Sequence, residues 1–270
     1  MQPLMITAAI CGAEVTRAQT PHVPYTPAEL VAEALRCHAA GATMVHVHVR
    51  LDDGTPSQSA DLFGQVLAGV RSQSDLLVQF STGGAVGMGV DERADAVRLR
   101  PDMATLSTGS VNFGDDVFAN PLPLVRQIAQ RLKQFGVRPE IEAFDTGMVD
   151  TALRLAKEGL IELPAHFDFV LGMPGGMGGT ARHLDFMRSL LPADCTWCVA
   201  GIGRFELPLA EHAIATGGHV RVGLEDNIFL SKGVLAKGSY ELVQAVAAVA
   251  KAAGRPLATT KQAREILRLS

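Results

Sequence analysis

The chain has 270 residues, 47% of them hydrophobic and 19% charged, with a formal net charge of −4. That length suits one large α/β domain or two small ones. With no basic block and no apolar run near the roughly 20 residues of a membrane span, nucleic acid and membrane are not expected as partners.

The first residues, MQPLMITAAI, lack a basic start and a small-residue cleavage site, and are expected to lead into a first strand, LMITAAI. Thr26, Pro27 and Glu29 then have the spacing of a capping box with proline at the first helical position. Leu30, Val31, Ala34, Leu35 and His38 follow at helical spacing up to Gly41. TMVHVHV is strand two, and Leu62, Phe63, Val66, Leu67 and Val70 mark one face of the next helix. LLVQFS is strand three, and a short helix over 91–99 leads to MATLS, strand four. Asn120 and Pro121 open a helix that ends at Gly136, before EIEAF; a helix from 147 ends at Gly159, before FDFVLG. Thr180 caps the next helix, followed by TWCVAGI; residues 207–216 are helical, followed by HVRVGL. Residues 239–253 form the eighth helix and 259–269 a terminal extra one, with Thr259 and Gln262 at capping-box spacing.

Eight strands each followed by a helix predict a (β/α)8 TIM barrel, one domain over residues 1–270 with a C-terminal extra helix. A doubly wound open sheet has the same alternation. Closure is favoured by the count of eight and by polar residues where nearly every strand ends. Of the four cysteines, Cys195 and Cys198 alone have a redox or zinc spacing, CTWC, and no second pair completes a four-cysteine site. Buried thiols in a reduced, cytoplasmic protein are the expectation.

In a barrel the chemistry gathers at the C-terminal strand ends. Those ends bring Glu14, His46 and His48, Ser81 and Thr82, Thr105 and Ser107, and Glu142 to one mouth. RVGLEDN at strand eight adds Arg221, Glu225 and Asp226. His46 and His48, two apart on a strand, share one face and can present two nitrogens to one metal ion. Glu225, Asp226 or Glu142 could be the third donor. The alternative is a pair of hydrogen-bonded core histidines, but unpartnered imidazoles in a core are costly, so something polar is expected to meet them. Arg221 suits a carboxylate or an internal pairing with Asp226 or Glu225. GMPGGMGGT, with Gly175, Gly176 and Thr180, suits backbone contact to phosphates or a tight structural turn. It only loosely matches a dinucleotide fingerprint, and no acid ends the next strand to meet a ribose.

Taken together, AAICGAEVTR, TPHVPYTPAEL, AGATMVHVHVR with DDGTPS, QFSTGG, GSVNFG, IEAFDTG, GGHVRVGLEDNIF and ATTKQAREIL resemble the β-keto acid cleavage enzyme family nearly end to end. The resemblance implies a zinc-dependent barrel, usually a homotetramer. It also implies that a β-keto acid and acetyl-CoA are converted into acetoacetate and a new acyl-CoA. By motif it assigns zinc to His46, His48 and Glu225, and proton abstraction to an Arg221–Asp226 dyad. Glu14, Ser81 and Thr105 become substrate contacts, with Thr82 and Ser107 as alternatives one slip away. Ser239 and Tyr240 stand where the family has an asparagine leading into the last barrel helix. A metal-dependent aldolase or hydrolase without CoA, and a non-catalytic metal or metabolite sensor, are the competing expectations. Tail selectivity is expected from Met173, Met177 or the loop from Cys11 to Tyr25.

Overall fold

A computed structural model describes residues 2–84 and 88–269. Eight parallel strands close into a barrel: β1 (Ile6–Ala9), β2 (Met44–Val47), β3 (Leu77–Phe80), β4 (Met103–Ser107), β5 (Arg138–Ala143), β6 (His166–Leu171), β7 (Thr196–Gly201) and β8 (His219–Val222). Each strand pairs with its neighbour in sequence, and β8 returns to β1 with Thr7 opposite Arg221. The (β/α)8 expectation holds. None of the helices among the described residues is long and apolar enough to cross a membrane.

The outer ring comprises α1 (Pro27–Ala39), α2 (Ala60–Arg71), α3 (Val90–Arg93), α4 (Leu122–Phe135), α5 (Thr146–Lys157), α6 (Ala181–Ser189), α7 (Glu206–Thr216) and α8 (Ser239–Ala252). The α1 capping box forms as its sequence requires: the Thr26 hydroxyl accepts from the Glu29 amide, and Glu29 accepts from the Thr26 amide. The third unit departs from expectation. In place of one helix over 91–99 there are four residues of α3 and a separate 3-10 turn, Ala96–Leu99. Arg93 is drawn into the core, donating to the Thr82 carbonyl (2.6 Å) and Asn120 Oδ1 (2.7 Å), and Arg100 turns left-handed (φ 54°) before Pro101.

Helix α9 (Thr260–Leu267) closes the N-terminal end of the barrel. Its Ala263 and Leu267, with Ala258, pack on Met5, just before β1, and on Met44, Leu77 and Met103 from β2 to β4. Above this apolar floor the barrel is filled by polar side chains, among them His46, Gln79, Thr105, Glu140, His166, Asp168 and Arg221, all buried. A barrel interior is ordinarily packed with branched apolar residues, so this content marks the space above the floor as chemically committed. At the opposite end three antiparallel hairpins rise from the strand ends: Val49–Arg50 with Pro56–Ser57, Val111–Phe113 with Asp116–Phe118, and Phe229–Ser231 with Val234–Leu235.

Candidate active site

The expected long second strand is shorter than its sequence suggests. Its barrel ladder ends at Val47, and Val49–Arg50 peels away into a hairpin. His48 therefore sits just beyond the ladder, yet its ring still faces the same way as that of His46. His46 Nε2 and His48 Nε2 lie 3.5 Å and 3.4 Å from one oxygen, Glu225 Oε1. One donor atom from each of the three residues falls within a 4.8 Å cluster.

Two observations test whether a metal ion fits these residues. The Nδ1 atom of His46 meets Gln79 Oε1 at 2.7 Å. An amide oxygen only accepts, so Nδ1 carries the proton and Nε2 presents a bare lone pair to the cluster. Buried His46 Nε2 and Glu225 Oε2 have no hydrogen-bond partner. Separations of 3.4–3.5 Å are long for charge-assisted hydrogen bonds. They match the spacing of about 3.3 Å between two ligands held about 2.0–2.1 Å from one tetrahedral ion. The residues fit a divalent cation.

Arg221 organises the carboxylates beside this cluster. Its Nε and Nη2 grip Asp226 as a two-pronged fork (2.9 and 3.0 Å), and Nη2 also donates to Glu225 Oε1 (2.7 Å). Nη1 reaches Glu142 (3.3 Å) and Asp168 (3.4 Å). Every one of the five guanidinium N–H groups thus has a carboxylate. Burial favours the neutral acid at Glu225, but Arg221, His46 and His48 outweigh it and hold its pKa well below 4.5. Burial also opposes charge on His46, yet Glu225 and Glu142 raise its pKa above 6.5. Asp226 goes the other way: burial, with Glu225 adding repulsion against the pull of Arg221, lifts it to about 7.

Above these groups opens a cavity of about 580 Å³ walled by His48, Ser81, Glu142, Arg221, Glu225 and Asp226 on its polar side. Exposed Glu14 and Gln19 from the loop after β1 stand at its rim, and Phe113, Phe118, Phe144, Val170, Met173, Ile202 and Ile228 form the apolar side. Ser81 thus reaches the cavity. Thr82 is tied to β4 instead, its hydroxyl donating to the Thr105 carbonyl (2.7 Å) and its amide to Thr105 Oγ1 (3.2 Å). Ser107 donates to Glu142 Oε2 at 2.6 Å. In the glycine-rich loop, Met173 and Pro174 line the cavity while Met177 packs against the core. Gly175 lies so close to the 111–118 hairpin that a Cβ there would meet the Asn112 carbonyl at 2.2 Å. The Gly176 amide bonds the Met173 carbonyl, and Thr180 caps α6 by accepting from His183 N.

Several residues that shape the site were not singled out in the sequence. Gln79 fixes the His46 ring. Asp168 braces Arg221. Arg50 donates to the carbonyls of Gly12 (3.0 Å), Val15 (2.9 Å) and Gly54 (2.7 Å), which seats the loop carrying Glu14. A lone glutamine in LLVQFS and a lone aspartate in HFDFVLG, both in otherwise apolar strands, were the available signals. Ser239, where the sequence departs from the family pattern, has a clear task. Its buried hydroxyl accepts the amide of Leu224, the residue before Glu225 (3.0 Å).

Residues 3–269 match the family described as beta-keto acid cleavage enzyme. The chain belongs to that family. Among β-keto acid cleavage enzymes, one from Acetoanaerobium sticklandii, named 3-keto-5-aminohexanoate cleavage enzyme, is 48% identical over 272 residues, covering 100% of both chains. A second relative, from Cupriavidus necator, is named 3-oxoadipate:acetyl-CoA acetyltransferase and is 44% identical over 273 residues, covering 99% of this chain and 95% of its own. Of solved structures, apo ObcA superposes with a TM-score of 0.82 at 20% identity, over 94% of this chain and 66% of that one, a likeness of fold.

Proposed function

We propose that this family member is a zinc-dependent enzyme that reacts a β-keto acid with acetyl-CoA to give acetoacetate and a new acyl-CoA. The observation that carries the reading is the meeting of His46 Nε2, His48 Nε2 and Glu225 Oε1 on the wall of a cavity that also presents the Arg221–Asp226 fork. The names of the relatives support the co-substrate.

His46, His48 and Glu225 would hold the ion, which when bound supplies Lewis acidity toward a carbonyl oxygen. The chain's own groups do the rest. The C–H bond between the two carbonyls of a β-keto acid is acidic, and Asp226, aimed by Arg221, takes that proton. Ser81 donates to the substrate carboxylate, and Thr105 supports it through the Thr82 amide. Glu142, oriented by Ser107 and Arg221, completes the polar wall. The carbon nucleophile attacks the acetyl-CoA carbonyl and CoA leaves as thiolate. That thiolate attacks the original keto carbon, the C2–C3 bond breaks, Asp226 returns its proton to the released carbanion, and acetoacetate departs from the new acyl-CoA. Gly175 and Gly176 in the loop before α6, with Thr180 at its N-cap, are the proposed neighbours of the CoA phosphates. Glu14 at the rim and the phenylalanine wall are proposed to select the tail of the keto acid.

Metal analysis followed by acetyl-CoA consumption with a panel of β-keto acids tests the reading. Turnover that persists without the thioester would favour the aldolase or hydrolase alternative. Glu225→Gln is expected to lose zinc and turnover together; retention of both would remove Glu225 from the site. The assembly is proposed to be a homotetramer, with the exposed Phe229, Leu230, Val234 and Leu235 of the last hairpin offering apolar area for it; light scattering in solution checks the number. Four free thiols suit a cytoplasmic setting.

A further inference from the structure

We propose that Glu140, His166 and Cys198 form a second divalent-metal site, sealed inside the barrel and separate from the cluster at its mouth. The three residues come from adjacent strands β5, β6 and β7. Glu140 pairs in register with His166, and Asp168, two residues on, pairs with Cys198. One donor atom from each lies within 4.8 Å of the others, and none of the three lines the active-site cavity.

Orphaned polar atoms point into this space. Glu140 is 0% exposed, and neither of its carboxylate oxygens has a partner in good hydrogen-bond geometry, although the Gln79 side chain lies close enough to favour its charged form. His166 is 2% exposed, and its Nε2 is equally unpartnered. Its Nδ1 meets Thr196 Oγ1 at 2.7 Å, a hydroxyl able to accept the ring proton in the tautomer that leaves Nε2 as a lone pair. Glu140 Oε2 and His166 Nε2 are 3.5 Å apart, the separation found between donors in the His46–His48–Glu225 cluster. Buried polar atoms are rarely left unsatisfied, and a carboxylate with two such oxygens facing an imidazole nitrogen calls for an occupant.

Charge balance favours a dication. Without one, burial and the neighbouring Asp168 push Glu140 up to about 8, and burial with Asp168 and Glu140 pushes the Cys198 thiol well above 9. Both groups then hold their protons beside a neutral histidine. A divalent ion entering the cluster displaces one proton from the Glu140 carboxyl and one from the Cys198 thiol, so the interior keeps its net charge. The donor set of one sulfur, one nitrogen and one oxygen suits zinc or cobalt far better than magnesium or calcium. It also gives the CTWC stretch a meaning. Cys198 turns into the barrel, whereas Cys195 stays at the half-buried start of β7.

The sulfur makes the proposal separable from the site at the mouth, whose donors are nitrogen and oxygen. Protein produced in cobalt-supplemented medium loads the interior as the chain folds. The expected result is two metal equivalents per chain and a near-ultraviolet thiolate-to-cobalt charge-transfer band. That band should vanish in Cys198→Ser and survive in Cys195→Ser. In His46→Ala/His48→Ala one equivalent and the band should remain, whatever happens to turnover. A wild-type protein with a single equivalent and no such band, or a band indifferent to Cys198→Ser, overturns the second site. The wild-type spectrum decides the matter even if a variant fails to fold.

Discussion

Arg221 is held by four carboxylates at once, and its planar fork is what allows it to face Asp226, Glu225, Glu142 and Asp168 together. A lysine carries the same charge on a single point and cannot span them. Arg221→Lys is therefore expected to leave the metal bound but let Asp226 drift. A drift of about 1 Å in a reacting group lowers kcat by about 100-fold. Steady-state kinetics paired with metal content checks this; near-normal turnover would show that charge alone suffices. Gln79 acts one step further back. It touches no substrate, yet its oxygen fixes which His46 nitrogen faces the cluster. Gln79→Leu keeps the size of the side chain and is expected to weaken metal affinity by about 10- to 100-fold. Competition with a chelator measures it, and unchanged affinity would deny Gln79 this part.

Among the elements, the turn after β8 does most to build the site, and it is wedged from two sides. Ser239, the first residue of α8, holds the Leu224 amide, and Gly12 packs on the Glu225 stem. A Cβ at Gly12 would lie 2.6 Å from Glu225 Cγ, so Gly12→Ala must displace the carboxylate. Metal retention is expected to fall by at least about 10-fold, as for other losses of ligand support, with the unfolding transition little moved. A large drop in Tm with the metal retained would contradict it. The same turn explains what could be read from the sequence. Alternation in TMVHVHV placed both imidazoles on one face, and RVGLEDN at a strand end placed three charged groups at the mouth. The period of two carried that information even though the ladder breaks at Val47. The hairpins at 49–57, 111–118 and 229–235 were not legible. Each pairs two or three residues on a side, too short to impose a period, and each is stabilised by its seat on the barrel rim. The 91–99 segment misled for a related reason: its apolar residues fit a helix, but buried Arg93, with its tertiary hydrogen bonds, set where the chain turns.

Across the whole molecule, the polar filling of the barrel makes stability depend on which protons the interior refuses. His219 on β8 is buried, and its Nδ1 accepts the amide proton of Met5 on the approach to β1 (3.1 Å). Burial, with Arg255 adding positive charge nearby, depresses its pKa well below 6.5. The unfolded chain therefore binds a proton at His219 below pH 6.5 that the folded chain does not, and stability is lost as the pH falls through that value. Glu140 at about 8 and Glu206, raised by burial, tilt the balance the opposite way, because they keep protons the unfolded chain releases above 4.5. The slope for the native sequence is a sum of opposing contributions, so the informative quantity is a difference between two proteins. His219→Asn retains an acceptor for the Met5 amide and removes the titration. Between about pH 7.5 and about pH 5.5 the variant is expected to gain about 1.4 kcal/mol relative to the native sequence. Urea unfolding at the two pH values reads that gain directly. A difference that does not change with pH would mean that His219 takes up its proton without unfolding, and the closed interior would then be open to water at β8.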